Sequence, residues 1–586
     1  MESCPTQAVL PLVGLVAEKV IRDRYSSGRA DQWIARKHGL VNEGGWVDDV
    51  RGPRIWNKRW SSVLLSPVPG DTMPMSSTVT PLPKSVSAAG AADPLSRSIV
   101  LLGLLMVGQR LIGFGRAFFV CRVLSPADVG QLDLSLGVLA LAAPLVVLGI
   151  PGSFGRYIVQ FQLRGQQSTF LRRTAFSCGL LSLVGAGSLY VWRGSLSEVI
   201  YGDRRSAELL GLLAFGLPAV VFFNFACCWF SGLRLNRIVV RLQFAQSVFF
   251  AALSAYLLLA TSPSAGDVIM AYLMACLLAC LLGWDYLRLS TKNGKHGSTD
   301  SAAVPIWNRI IPFALWIWAS NLFVNLFAIC DRLLIVNFAD VSSVTARQWV
   351  GQYHSARILP VLLVAVGGMV GSMLTPYLSH DWEHGRRDRV FVTLNVGLKS
   401  MAIFGYGVSL CVLLLAPYLF SNLWQEKFAS GEKLLPLTLT YCNWAALTLV
   451  AQKYFWCLEK TWLSSTAMLV GLFVNAGIGF LLLPHFGVGG VVVSTMAAHC
   501  CVLATVCLCC HLFGMRLDRG VFWLAGFCPL LCFGTGAAVA GMVALFMLVA
   551  FSEQILNAAD KAILRAVVSG RWQRIRAWIL ISEGEH

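Results

Sequence analysis

Apolar positions recur along this chain in runs of about twenty residues, separated by short polar stretches. Runs of that length fit α-helices crossing a ~30 Å hydrocarbon core. The pattern predicts twelve spans, at about 98–121, 131–151, 174–192, 208–232, 243–261, 268–287, 310–330, 357–378, 394–417, 436–456, 462–483 and 489–510. A further apolar stretch, 520–551, predicts one long helix or a hairpin broken near Gly534 to Gly536. The alternating segments of about ten residues that build a β-barrel do not occur. The expected fold class is an all-α integral membrane protein with twelve core spans, and thirteen or fourteen in total.

The same pattern divides the chain. Residues 1–97 carry 12 Lys/Arg, 9 Asp/Glu and four Trp, then a Ser/Pro/Ala-rich stretch. They read as a disordered or non-native N-terminal extension, with Met73 or Met75 as an alternative start. Residues 98–288 form a first six-span lobe, 289–305 a cytoplasmic linker and 306–515 a second six-span lobe. The extra apolar helix or hairpin at 520–551 follows. Residues 552–586 alternate basic and apolar positions and read as an interfacial cytoplasmic tail. Segments LSPADVGQLDLSLGVLALAAP and VSSVTARQWVGQYHSARILPVLL both carry Gly-Gln, at Gly130-Gln131 and Gly351-Gln352. An offset of 221 residues relates these two dipeptides and maps spans 1–6 onto spans 7–12. Internal repeats of this kind characterise secondary transporters.

Composition and charge sharpen this reading. Only 13% of the residues are charged and 56% are apolar, with a net charge of +17. With the N-terminus in the cytoplasm, the cytoplasmic loops of the twelve spans hold 17 Lys/Arg and the opposite loops 8. That is the positive-inside bias, and it gives the surplus charge a membrane meaning rather than a nucleic-acid one. Most of the 18 cysteines lie inside apolar runs as small, soft apolar residues. The clusters His499 to Cys501 and Cys507 to His511 match no zinc spacing, so no metal or cofactor is implied. The external loops are short, the longest being 331–356, which leaves no room there for a soluble catalytic domain. No ATP-binding loop occurs, so the expectation is a transporter and not an enzyme.

Several charges fall inside the spans. Arg110 lies near the middle of the first, where a charge costs about 2.5–3.5 kcal/mol on insertion scales. Arg116 follows six residues on, about 120° around the helix, and Gly113 and Gly115 between them could bend it. Arg122, at the end of the span, can snorkel. In the second half, Arg357 enters the eighth span. Asp331 and Arg332 close the seventh and, being adjacent, point different ways. They read as helix-end charges at the outer interface, as an ion-coupling site or as partners of another helix. Asp133 and Asp285, near span ends, read as interfacial.

The run from Arg110 to Ile158, RLIGFGRAFFVCRVLSPADVGQLDLSLGVLALAAPLVVLGIPGSFGRYI, resembles the opening of Wzx-type polysaccharide flippases. These belong to the multidrug/oligosaccharidyl-lipid/polysaccharide exporter superfamily. The matching positions are Arg110, Gly113, Phe114, Arg116, Arg122, Leu124, Pro126, Gly130 and Arg156-Tyr157, with Cys121 where the family has Ala. The resemblance extends over about 98–515. It implies two six-helix lobes around a central cavity and alternating access. It implies a substrate made of an oligosaccharide repeat unit, of O-antigen or exopolysaccharide type, joined by diphosphate to a polyprenol. It also implies that Arg110 and Arg116 bind the diphosphate; Arg357, by its position at the entry of the eighth span, is the candidate cavity arginine of the second half. Planar, permanently charged, multidentate guanidinium groups suit that anion. The expected location is the cytoplasmic membrane. Expected partners are the lipid-linked substrate, membrane lipids, and a glycan polymerase or glycosyltransferases, with no nucleic acid. The competing readings are a drug/cation antiporter of the same superfamily, a membrane enzyme, and a scaffold for glycan-synthesis enzymes.

Overall fold

The computed structural model describes residues 95–163, 165–260, 262–292, 306–558 and 560–562. The N-terminal extension with Met73 and Met75, most of the 289–305 linker and the tail from 563 lie outside the described residues. Those described from Leu102 onward fall in one contact unit.

Helices follow the apolar runs. In the first half they are α1 (Leu95–Val123), α2 (Pro126–Val146), α3 (Phe154–Leu163), α4 (Gln167–Val191), α5 (Arg193–Tyr201), α6 (Ala207–Gly232), α7 (Asn236–Ala260) and α8 (Ala265–Lys292). In the second half they are α9 (Ile306–Phe338), α10 (Ser343–Arg357), α11 (Val361–Glu383), α12 (Arg387–Tyr418), α13 (Ala429–Ala451), α14 (Lys453–Cys457) and α15 (Trp462–Leu512). Two more, α16 (Arg519–Phe527) and α17 (Thr535–Phe551), follow. Among the described residues ten helices are long and apolar enough to cross a membrane. One of these, α15, is two arms. It breaks at Gly487, whose φ of 56° and ψ of −138° lie outside the helical region, three residues after Pro484. Each of the twelve span positions read from the sequence overlaps a helix.

One local departure changes the topology. The 26-residue external loop expected at 331–356 is almost all helix: α9 runs to Phe338 and α10 starts at Ser343. Its sequence, SVTARQWVGQYHSAR, is too polar to register as a span. It is helical because Ser342 caps it, accepting from Thr345 N at 3.2 Å, and because it packs on α2. The helix α1 continues unbroken through Gly113 and Gly115, the two residues that could bend it.

The first lobe packs α8 on α6 and α7, and α4 on α6; the second packs α13 on α11, α12 and α15, and α15 on α9. The lobes meet along α2. Its start is set by Pro126 in the first turn and by Ser125, whose Oγ accepts from Asp128 N at 3.2 Å. Glycines then let it approach the second lobe. A Cβ on Gly130 would run into the Arg347 carbonyl oxygen, and one on Gly351 into the Pro126 carbonyl oxygen. The 221-residue offset relates Pro126 to Arg347 as it relates Gly130 to Gly351, so this crossing of α2 and α10 is two-fold in character. Lower down, a Cβ on Gly137 would sit 2.9 Å from Ile329 Cδ1 of α9. At the far end Gly149 (φ 70°) turns the chain against the Ala314 carbonyl.

The last apolar stretch folds back on itself. Residues 519–533 and 535–551 form two arms of about 25 Å, joined at Gly534 (φ 92°). Their outer ends converge on one side chain. Lys399 Nζ of α12, buried, lies 2.6 Å from Asp518 Oδ2 and 2.7 Å from Asp560 Oδ2.

Replacing Gly130 or Gly351 by Ala should destabilise the protein by about 1–3 kcal/mol, because the blocking atoms are backbone and cannot move aside. Gly113→Ala and Gly115→Ala, with no atom within 4 Å of the new methyl, serve as neutral controls. Thermal unfolding in detergent would compare them. Removing the amine in Lys399→Met should leave two carboxylates unpaired, at about 3–5 kcal/mol, and speed limited proteolysis after residue 551.

Candidate functional site

Glycine at the α2–α10 crossing brings two polar helix faces together. Asp133, two turns into α2, receives His354 Nδ1 of α10 at 2.8 Å and Arg332 Nε of α9 at 2.7 Å. Asp133 and Arg332 are both buried. Asp133 is therefore not the interfacial residue its position near a span end suggested; it is the first lobe's half of an inter-lobe ion cluster. The 221-residue offset that pairs Gly130 with Gly351 also pairs Asp133 with His354, and that offset was the available signal.

Asp331 and Arg332 do diverge, as adjacency requires. Arg332 reaches across to the first lobe. Asp331 stays in the second, where its Oδ2 accepts from Tyr353 Oη at 2.8 Å. Tyr353 Oη also meets Tyr441 Oη at 3.0 Å, and the Tyr441 ring stacks on His499 with centroids 5.2 Å apart. Arg357 lies over the Tyr353 ring at 5.2 Å, within electrostatic reach of Asp331 and Asp133. Two carboxylates, two guanidinium groups and an imidazole thus share one buried cluster, nearly balanced in charge. Nothing in the sequence alone marked Tyr353 or Tyr441 for this site, and His499 stood out there only as part of a His-Cys cluster with no zinc spacing.

Around this cluster further contacts join the two lobes. Phe118 of α1 stacks on Trp424 of the second lobe at 5.0 Å. Lys427 Nζ donates to the Arg122 carbonyl at 3.0 Å. Arg347 Nη1 donates to Ser206 Oγ at 3.2 Å, and Asn337 Nδ2 to the Val199 carbonyl at 2.7 Å.

The two arginines of α1 separate. Arg116 lies in the first lobe, its guanidinium 3.7 Å from the centre of the Phe250 ring of α7, an arrangement favoured by the ring quadrupole. Gln109, two turns before it on the same face, accepts from Ser247 of α7 through its carbonyl. Arg110 belongs to the stripe that continues through Phe114 and Phe118 at four-residue spacing. Phe114 and Phe118 pack on each other at 4.5 Å, and Phe118 meets Trp424. Arg116 therefore lies against the first lobe, and Arg110 projects about 120° around the helix from it. The structure does not bring Arg110 and Arg116 into the cluster that holds Asp331, Arg332 and Arg357.

Residues 95–382 match the family described as "Polysaccharide biosynthesis protein". No curated protein matches the chain. The fold is shared with solved membrane transporters. A lipid II flippase MurJ in an inward closed conformation superposes with a TM-score of 0.57 at 11% identity, over 77% of this chain and 97% of that one. An inward-facing multidrug resistance MATE family transporter of the MOP superfamily gives 0.54 at 15% identity, over 71% of this chain and 95% of that one. At these identities the likeness concerns the fold. The chain is a multi-pass membrane protein built as these transporters are.

The ion cluster predicts coupling that a double-mutant cycle can measure. Asp133→Leu and Arg332→Leu should each cost about 3–5 kcal/mol, since each strands a buried charge. The double variant should cost clearly less than the two together. Additive losses in unfolding experiments would show that the pair does not interact.

Proposed function

We propose, from the match of residues 95–382 to the family described as "Polysaccharide biosynthesis protein", that this chain flips a polyprenyl-diphosphate-linked oligosaccharide across the cytoplasmic membrane. The head group crosses between the lobes while the polyprenol stays in lipid. The observation that carries this reading is the placing of Arg110. A permanent cation sits near the middle of the first helix, within a lipid-length apolar run, where charge is costly and marks a pathway for a polar substrate. Arg110 is the proposed first contact for the diphosphate. Arg116, held on Phe250, is the second donor from the same helix.

Alternating access then follows from the closures described. Under the Lys/Arg bias the α1–α2 end faces outward, so the closed end is the outer one. In this reading Asp133, Asp331, Arg332 and His354 are a latch between lobes. Arg357 is neutralised within it and becomes available to the diphosphate when the lobes part. A drug/cation antiporter is the second reading, and Asp133 is the observation that favours it: a buried first-lobe carboxylate is what a transported cation needs. Its partners Arg332 and His354 already occupy it, which favours the anion-transporting reading. The glycan polymerase or glycosyltransferases that would supply and consume the substrate remain proposed partners.

Vesicles containing the protein and a labelled polyprenyl-diphosphate oligosaccharide test this. Arg110→Ala should abolish transbilayer movement and Arg116→Ala should reduce it at least tenfold, with insertion intact. Normal movement in both variants would remove the proposed site. Gradient-driven drug efflux without glycolipid movement would establish the antiporter reading.

A further inference from the structure

A second basic site lies at the opposite end of the second lobe, far along the chain from the α1 arginines. There the turn between α11 and α12, the end of α14 and the exit of α15 surround a cavity of about 690 Å³. Four arginines line it, Arg386, Arg387, Arg389 and Arg516, against one carboxylate, Asp388. The Gly385 turn (φ 73°) puts three of the four within four residues at the start of α12. The walls are aromatic. Trp382 and Tyr454 meet edge to face at 5.8 Å, and Arg387 lies 5.3 Å over the Trp382 ring. Tyr454 is anchored by donating to the Phe513 carbonyl at 2.9 Å. The cavity thus has an apolar floor and a cationic rim at the termini of lipid-length helices, the depth at which head groups lie.

We propose that this cavity binds the phosphate head group of an anionic phospholipid from the surrounding leaflet. Guanidinium groups supply multidentate donors for a phosphodiester, and the aromatic floor suits the glycerol and first methylenes. The volume lies within the ~300–1,000 Å³ of ligand sites. Clustered Arg and Lys beside a membrane helix are the recognised physical basis for attraction to anionic lipid. The cavity lies on the face that the Lys/Arg bias makes cytoplasmic. The bound lipid would tie the α11–α12 turn to the exit of α15, two segments of the lobe that must move as one body.

Binding is read independently of transport. The full-length protein in detergent is exposed to phosphatidylglycerol, phosphatidylcholine or polyprenyl phosphate, and retained lipid is counted by native mass spectrometry. Phosphatidylglycerol should be retained at least tenfold better than phosphatidylcholine. The fourfold variant Arg386→Gln/Arg387→Gln/Arg389→Gln/Arg516→Gln should lose that preference. If that variant does not fold, Arg387→Glu/Arg516→Glu replaces it, because both side chains are exposed in the wild type. Equal retention of the two phospholipids would overturn the proposal, as would an unchanged preference in the folded variant. Retention of polyprenyl phosphate alone would overturn it too, by assigning the cavity to the transported glycolipid. Failure of flipping with phosphatidylglycerol still retained would count against the transport reading only.

Discussion

Everything at the junction of the two lobes depends on how closely α2 can approach its neighbours. Backbone meets backbone where Gly130 crosses Gly351, with no side chain between. Within a membrane there is little hydrophobic gain from helix association, so van der Waals contact at small residues and polar links across the contact must supply it. The crossing delivers both. By removing side-chain bulk it brings Asp133 within reach of His354 and Arg332, and so puts a buried, charge-compensated cluster at the lobe boundary. A larger residue at either glycine would separate the helices and strand those charges.

The cluster suits an opening joint better than a permanent weld. Its ion pairs gain much when made, yet desolvation makes such pairs nearly break even overall. A pair of that kind can hold one state without prohibiting another, provided the charges find water or ligand when they part. Around it lie contacts of modest individual strength, such as Phe118 on Trp424 and Lys427 on the Arg122 carbonyl. Inside the second lobe the ties are firmer: Asp331, Tyr353 and Tyr441 form one hydrogen-bonded chain, and Lys399 clamps both ends of the last hairpin. The division is consistent with rigid lobes and a breakable boundary.

Much of this architecture was legible beforehand. The spans could be read because lipid demands a local property, about twenty apolar residues in a row, and each run overlaps a helix. The divergence of Asp331 and Arg332 followed from helical geometry alone. The repeat offset held more than was drawn from it, since it already paired Asp133 with His354. Reading by apolar length failed at α10, a polar helix whose stability comes from its cap and its contact with α2. It failed also in judging burial, because depth in a lobe boundary cannot be inferred from distance to a span end.

The sequence by itself therefore determined the class of protein, the placing of its helices, the two-fold repeat and the presence of arginine in the first span. These depend on composition and on spacing along one helix. Tertiary structure alone decided that Arg116 packs on Phe250 of α7 and that Asp133 closes on Arg332. It decided likewise that residues 519–551 turn back to a single lysine, and that four arginines ring one cavity. Each of these joins residues far apart in the chain, and their distances are set by helix packing, which no local pattern encodes.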